Sequence, residues 1–491
     1  AASTAARRAP APTPAAAADA RPSVAVLPFA NTSGDARDEH LSDGLTEELI
    51  AALSRVHGLD VIARTSVFAL KGKPLGVRAV AETLGVSSVV EGSLRRVGGR
   101  LKVTARLARA GDGRVLWSET YDRELRDVFA MQEEIARAIV GALRVRLAGA
   151  GRPLLVGRAT DDPVAYDLFL RGRQAFSAGS GPADVRRAVA LFDSAVARDP
   201  AFAQAHAGLS DAHARLVAFG FGRPRDELPL AEAAALRALA LDPTVAAARA
   251  ALAHALYLRG GARDSAERAM RRALALDPGY VLGRSAFAIW LQFQGRFAEA
   301  VAQMDTAAAL DPLAANVGTV LGRAYVNAGR SDDAIRALQG ALALGPGHPL
   351  VLQQLGHAYL QKGMAAEALD ALRRAAAASG ARDSAHLAYA YGVTGDRAEA
   401  ARNVAALEAS AARRFVPPFD LAIAHVGVGD RDAAFRRIER ALAEGVLVRD
   451  VLTGTAALRP LHADARWTRL VRRLDREERA AALSAAAPAA P

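Results

Sequence analysis

The sequence predicts an α+β amino-terminal domain followed by an all-α solenoid of paired helices. Three observations carry this reading. Residues 22–151 mix short apolar runs, one strictly alternating stretch and segments of helical periodicity. From about Thr160 to Val448 an Asp-Pro dipeptide recurs, at Asp199-Pro200, Asp242-Pro243, Asp277-Pro278 and Asp311-Pro312, and Gly345-Pro346 continues the series. The proline spacings are 43, 35, 34 and 34 residues, the period of stacked helix pairs. Finally, the 491 residues contain no cysteine and no run of about 18 uncharged apolar residues. These absences exclude a disulfide scaffold, a thiolate metal centre, a cysteine nucleophile and a transmembrane helix within the chain.

Each element follows in order. Residues 1–21 are Ala/Pro-rich and too poor in large apolar groups to offset ordering entropy, so a disordered linker is expected. Ser23–Phe29 is a strand and Asn31–Glu39 a polar loop. Leu45, Leu49, Leu53 and Val56 then recur at helical spacing, with Asp43, Glu47 and Glu48 near the start, where the helix dipole favours carboxylates. Leu59–Ala63 is a second strand and Val77–Leu84 a short helix. In the hairpin that follows, Leu101, Val103, Ala105 and Leu107 alternate with Arg100, Lys102, Thr104 and Arg106. Gly98-Gly99 predicts a type I′ turn, which needs positive φ at both positions. Gly111-Asp112-Gly113 turns into Val115–Tyr121, and Phe129–Leu147 closes the domain as a helix. The predicted order is β-α-β-α-β-β-β-α.

In the repeats, small and large residues recur at fixed offsets. Residues 315–348 carry Leu321, Gly322, Tyr325, Gly329, Ala334, Ala341 and Pro346; residues 349–382 carry Leu355, Gly356, Tyr359, Gly363, Ala368 and Ala375. Gly and Ala let the two helices of a repeat cross closely, Leu and Tyr fill the space beside them, and Pro ends the second helix. This is the tetratricopeptide (TPR) signature. Insertions near Ala178–Asp184 and Phe219–Pro229 interrupt the early repeats. Tyr391, Gly395 and Ala400, then Leu421, Gly429, Ala434 and Ala441, mark later ones. About eight repeats are expected over 160–448, the first, seventh and eighth degenerate. Asp464–Leu474 is predicted to cap the solenoid within a region spanning 449–479, and 480–491 to be a disordered tail.

Charge and motifs narrow the function. The formal net charge is +11, yet residues 22–151 hold 18 basic against 16 acidic side chains and the excess is diffuse, so no nucleic-acid partner is expected. Phosphate-binding loops, kinase signatures, H-E-x-x-H and G-x-S-x-G are absent from the sequence. Asp35, Asp38 and Glu39 lack calcium-loop spacing. His206, His213, His254 and His357 read as histidines on repeat helices. No catalytic, cofactor or metal residues are assigned. Two surfaces remain. The solenoid's concave groove, lined by the first helix of each pair, offers Gln292, Asn316, Arg323, Asn327, Gln353, His357 and Gln361, whose amides and cations suit an extended peptide or a carboxylate. The basic hairpin offers Arg95, Arg100, Lys102 and Arg106 as an anion or nucleic-acid patch, without aromatic residues for base stacking.

The stretches SVAVLPFANTSGD (23–35), LSDGLTEELIAALSRV (41–56), VIARTSVFALKGK (61–73), LGVSSVVEGSLRR (84–96) and VLWSETYDRELRDVFAMQEEIARAIVGAL (115–143) resemble the TolB amino-terminal-like domain found before TPR arrays in bacterial proteins. The ending LRPLHADARWTRLVRRL (458–474) is similar to the C-terminal part of such proteins. The resemblance implies a preceding output domain, whether a class III adenylate cyclase, a Ser/Thr protein kinase or a winged-helix regulator, sometimes with a membrane helix between. It implies no catalytic residues in this part. The chain does not begin with Met, so a processed or partial chain is expected, with an output domain or membrane anchor before Ala1. The compartment stays open, periplasmic after such an anchor and cytoplasmic otherwise. The function expected is a non-catalytic sensory or scaffolding segment of a bacterial signalling protein, binding a protein or peptide in the groove or self-associating. The alternative is anion or nucleic-acid binding through residues 95–109.

Overall fold

In the computed structural model, the residues described are 21–35, 38–56, 58–124, 128–143, 160–178, 182–218, 221–260, 262–379, 381–413, 416–444 and 449–486. The Ala/Pro linker, apart from Arg21, lies outside them, as do residues 487–491.

The amino-terminal part is a mixed sheet packed against helices. Its elements are β1 (Ser23–Val26), β2 (Ala30–Asn31), α1 (Glu39–Ser54), β3 (Asp60–Val61), α2 (Arg64–Phe68), α3 (Val77–Leu84), β4 (Ser88–Val97), β5 (Arg100–Arg109), β6 (Val115–Glu124) and α4 (Val128–Ala142). Sheet order is β3-β1-β4-β5-β6, with β2 also pairing β4. Strands β1 and β3, β1 and β4, and β2 and β4 run parallel; β4, β5 and β6 form an antiparallel meander. Leu101, Val103, Ala105 and Leu107 all face the core, as their alternation requires. The structure adds β2 and α2 to the predicted order, both too short to leave a periodic signal. Only Gly98 of the hairpin turn has positive φ, 60°, so the turn is not type I′.

The helical part stacks sixteen helices among the described residues. They pair as α5 (Pro163–Ala178) with α6 (Pro182–Arg198), α7 (Ala203–Ala218) with α8 (Pro224–Leu241), α9 (Ala246–Arg259) with α10 (Arg263–Leu276), and α11 (Val281–Phe293) with α12 (Phe297–Leu310). There follow α13 (Ala315–Asn327) with α14 (Ser331–Leu344), α15 (Pro349–Gln361) with α16 (Ala365–Ser379), α17 (Ala381–Val393) with α18 (Arg397–Ala411), and α19 (Pro418–Val428) with α20 (Arg431–Ala443). The repeat glycines show why the offsets hold. A Cβ on Gly322 would sit 2.4 Å from Leu338 of α14, and one on Gly356 2.5 Å from Leu372 of α16. In the late repeats, Asp396 and Asp430 accept from the backbone N–H of Glu399 and Ala433, capping α18 and α20.

Two boundaries differ from expectation. Pro229 lies inside α8 as its sixth residue, where it removes the N–H that would bond the Arg225 carbonyl. After α21 (Arg449–Gly454) and a 3-10 turn (Ala456–Leu461), the last helix, α22, runs Ala465–Ala486, well past the predicted end of the cap. It covers the array with Trp467, Leu470 and Leu474, packed with Ile438, Leu452 and Leu458. Among the described residues, no helix is long and apolar enough to cross a membrane.

One hydrophobic core joins the two halves. Val24, Phe29, Leu49, Val103 and Ile135 belong to the same buried cluster as Tyr166, Phe169, Leu170, Phe192 and Phe202 of the opening repeats. Gly44 of α1 leaves room for Leu170, whose Cδ1 would lie 2.6 Å from a Cβ there.

Candidate functional site

The first helix of each pair lines the concave side of such a stack. Arg173 follows Gly172 on α5 as Arg323 follows Gly322 on α13 and His357 follows Gly356 on α15. It therefore shares the offset of those groove candidates, and α1 already covers it. Arg173 meets Glu47 Oε2 at 2.9 Å and Glu48 Oε1 at 3.2 Å, both on α1. Burial pushes the Glu48 carboxyl up, against the pull of Arg173. Burial also opposes charge on Arg173, but the two glutamates outweigh it and hold the guanidinium above its ordinary value. Nearby, His40 Nε2 lies 2.7 Å from Asp167 Oδ1 on α5, and this hydrogen bond holds Asp167 below the usual carboxylate range.

Two Asp-Pro turns receive the amino-terminal domain. A Cβ on Gly279 would sit 2.7 Å from Ser54 Cβ at the end of α1, and burial raises the Asp277 carboxyl beside it. At the next turn, Asp311 Oδ1 accepts from Ser66 N at 2.8 Å and from Ser66 Oγ at 2.6 Å, and the same hydroxyl accepts from Leu313 N at 2.8 Å. Ala63 N donates to Leu310 O at 2.7 Å. Asp311 is 3% exposed and caps α2 from another part of the chain. Burial raises its carboxyl despite the hydrogen bonds from Ser66 and Thr65.

The carboxyl-terminal segment covers a further part. Asp450 on α21 pairs with Arg263 at 2.7 Å, at the start of α10. Gly454 abuts the end of α11 so closely that a Cβ would lie 2.7 Å from Phe293 Cα. Tyr389 of α17 packs against the cluster that holds Leu452, Ala457 and Leu458.

The groove candidates fall into three places. Gln292 Oε1 accepts from Arg323 Nε and Asn327 Nδ2, each at 3.1 Å, and Arg323 lies 5.7 Å from the Phe293 ring centre. Gln292 is 1% exposed, and its Nε2 has no hydrogen-bond partner among the described residues. Gln361 Nε2 donates to Val326 O at 2.9 Å and so joins this cluster. Gln353 is 5% exposed, and His357 Nε2 lies 3.0 Å from His386 Nδ1. Burial pushes the His357 imidazole down to about 4. Asn316 stands apart, exposed at the start of α13.

Two of the four hairpin candidates are neutralised. Arg100 pairs with Asp122 at 2.8 Å, and Arg106 pairs with Glu91. Neighbouring Arg96 meets Asp38 at 3.1 Å. Arg95 and Lys102 face each other across β4 and β5 and make no ion pair among the described residues. Two like charges remain where the sequence suggested a field. Sequence reasoning missed Arg173, Ser66, Asp311 and Asp450 as organising residues. The Gly-Arg offset on α5 was a readable signal for Arg173; the others depend on long-range packing. No cluster of His or carboxylate side chains able to hold a metal occurs among the described residues.

Comparison with known proteins gives the class first. The tetratricopeptide repeat family model matches residues 286–349 and 319–384, so this stretch carries TPRs, a protein-interaction fold, and the stacked helix pairs flanking it are consistent with a longer TPR solenoid. A protein of Rhizobium meliloti (strain 1021) named as adenylate cyclase 3 is 46% identical over 194 residues, covering 39% of this chain and 32% of that protein. The chain thus spans about a third of the length of the curated relative it matches. Pseudomonas aeruginosa PilF is similar at 24% identity over 40% of this chain and 90% of its own, with a TM-score of 0.34. The human IFIT1 dimer with PPP-AAAA is similar at 16% identity over 65% of this chain and 78% of its own, with a TM-score of 0.42. Neither structural likeness bears on function.

Proposed function

We propose that this chain is a non-catalytic, protein-binding regulatory segment of a bacterial signalling protein. In this reading residues 22–151 are a TolB-like module, 160–448 an array of about eight TPRs and 449–479 its cap. The repeat array is the observation that carries the reading, because stacked helix pairs supply extended surface and no active site. The cyclase-named relative supports an output domain attached elsewhere in the parent protein, with a membrane anchor as a further option. The shared core and the Ser66–Asp311 contact support a mechanism in which the two halves move as one body, so that a partner on either half biases the same output. The groove side chains left for a partner are Asn316, Asn327 and Gln361 at its margin, since Gln292, Gln353 and His357 are already covered. Arg100 and Arg106 are paired, so the anion-binding alternative gains no support.

The test places a photo-crosslinking side chain at Asn316 or Gln361 of the full chain, in cells that express it, and adds sedimentation of the purified chain over a concentration series. Site-dependent adducts to a protein, or reversible dimers, are expected. A chain that stays monomeric and gives no adduct above the unmodified control sinks the reading.

A further inference from the structure

The outward side of the later helix pairs carries a repeating aromatic arrangement that the second repeat lacks. Tyr325 stands thirteen residues after Pro312, and Tyr359 thirteen after Pro346. Tyr391, like both of these, stands four residues before a turn glycine, Gly395. Each ring reaches the second helix of the preceding pair. Tyr325 donates its hydroxyl to Asp305 of α12 at 3.4 Å; Gln339 of α14 donates to the Tyr359 hydroxyl at 3.4 Å; Arg373 of α16 donates to the Tyr391 hydroxyl at 3.0 Å. Asp305 and Gln339 each lie seven residues before their turn proline.

In the second repeat the same offsets, counted from Pro200, fall on His213 and Asp193. His213 does not reach across. Its Nδ1 lies 2.6 Å from Glu227 Oε2 on α8, its own partner helix. Leu256 and Leu291 hold this offset in the next two repeats, and His425 in the last bonds to Glu408 on the preceding helix at 2.9 Å. Between α6 and α8, floored by α7, there remains a cleft of about 560 Å³. Val189, Leu209 and Leu230 line it, Asp193 stands in it, and Arg186 and Arg237 come from opposite walls. Asp193 makes no hydrogen bond or ion pair among the described residues.

We propose that this cleft binds a phenol, the tyrosine side chain of a partner protein. The ring lies against Val189, Leu209 and Leu230, and the hydroxyl is donated to Asp193, as the Tyr325 hydroxyl is to Asp305. Arg186 and Arg237 favour carboxylates flanking that tyrosine and can lie over its ring, as Arg330 lies 4.6 Å from the ring centre of Tyr325. The proposal rests on the interaction reading only for the phenol belonging to a protein; the cleft itself is tested with small probes.

The probes are N-acetyl-tyrosinamide, N-acetyl-phenylalaninamide and the peptide Ac-Glu-Asp-Tyr-Glu-Asp-NH2, titrated into the full chain by saturation-transfer NMR. The tyrosinamide is expected to bind about ten-fold more tightly than the phenylalaninamide, and the acidic peptide more tightly still. Asp193→Ala removes the preference for the hydroxyl. His213→Tyr supplies the missing ring from within and abolishes binding of all three. Equal affinity for the two amides, no binding of either, or a folded His213→Tyr chain that binds like the parent overturns the site. If His213→Tyr does not fold, the Asp193→Ala comparison decides alone. If the tyrosinamide binds and the peptide gains nothing over it, the protein-borne tyrosine is overturned and the cleft is a site for a small phenol. Binding of the peptide in a chain that crosslinks to no protein in cells would leave the cleft standing and count against the proposed function only.

Discussion

Asp311 shows what one side chain does when a repeat motif is used twice. Within its repeat it belongs to the turn between α12 and α13. Across the chain it accepts from the backbone and hydroxyl of Ser66 while 3% exposed. Ser66→Ala leaves this carboxylate short of one buried donor and Leu313 N short of its acceptor. It should cost about 1–3 kcal/mol, read as a fall in the urea midpoint at unchanged slope. A midpoint within error of the parent would show that the contact contributes nothing. His357 makes the pH case. Its imidazole is pushed down to about 4 by burial from an ordinary value of 6.5. The folded protein thus holds it neutral where the unfolded chain would protonate it. The stability involved is present above pH 6.5 and is lost as the pH falls from 6.5 towards 4, by about 2–3 kcal/mol. His357→Gln should flatten the stability profile over that window, measured by urea unfolding at pH 7 and 4.5. A variant with the parent's acid slope would refute this.

At the scale of elements, the repeat helices were legible because their packing is local. The Gly322–Leu338 and Gly356–Leu372 contacts follow from a 34-residue period that needs no knowledge of the rest of the chain. Strand β5 was legible because its alternation encodes one buried face. The two-residue β2 and five-residue α2 were not, since neither spans a full period of anything. Nor was the covering of the groove. Gln292, Arg323 and Asn327 were readable as groove candidates, but nothing local to α21 says that Gly454 will abut Phe293. That contact is testable. Gly454→Val places side-chain atoms against the α11 backbone and should cost about 1–3 kcal/mol by overpacking. It should also raise amide exchange at the end of α11 and ease cleavage near Arg449. Unchanged exchange in α11 would mean that α21 does not depend on that approach.

For the whole molecule, the shared core sets the cooperativity. An isolated repeat array can open repeat by repeat, because each unit touches only its neighbours. Here Phe169, Phe192 and Phe202 of the opening repeats lie in the same cluster as the sheet residues Val24 and Val103. The α+β part and the first two repeats should therefore melt in one calorimetric transition, with equal calorimetric and van't Hoff enthalpies for that step. A separate early transition assignable to the sheet would contradict it. The sequence suggested two successive domains joined in tandem. Their fusion could not be read from it, because a buried position on α5 looks the same whether a repeat helix or α1 covers it.

The bridge from α21 back to the third and fourth repeats also has a mechanical consequence. A solenoid with free ends behaves as a spring, in which every repeat stretches under the same load. The Arg263–Asp450 pair and the seat of Gly454 on Phe293 act as a strap across that spring. Tension applied between the α4 end and the α22 end would reach the strap before it reached α13 to α20, so those four repeats are shielded until the strap parts. A pull on the chain would then register as one abrupt release rather than a gradual extension.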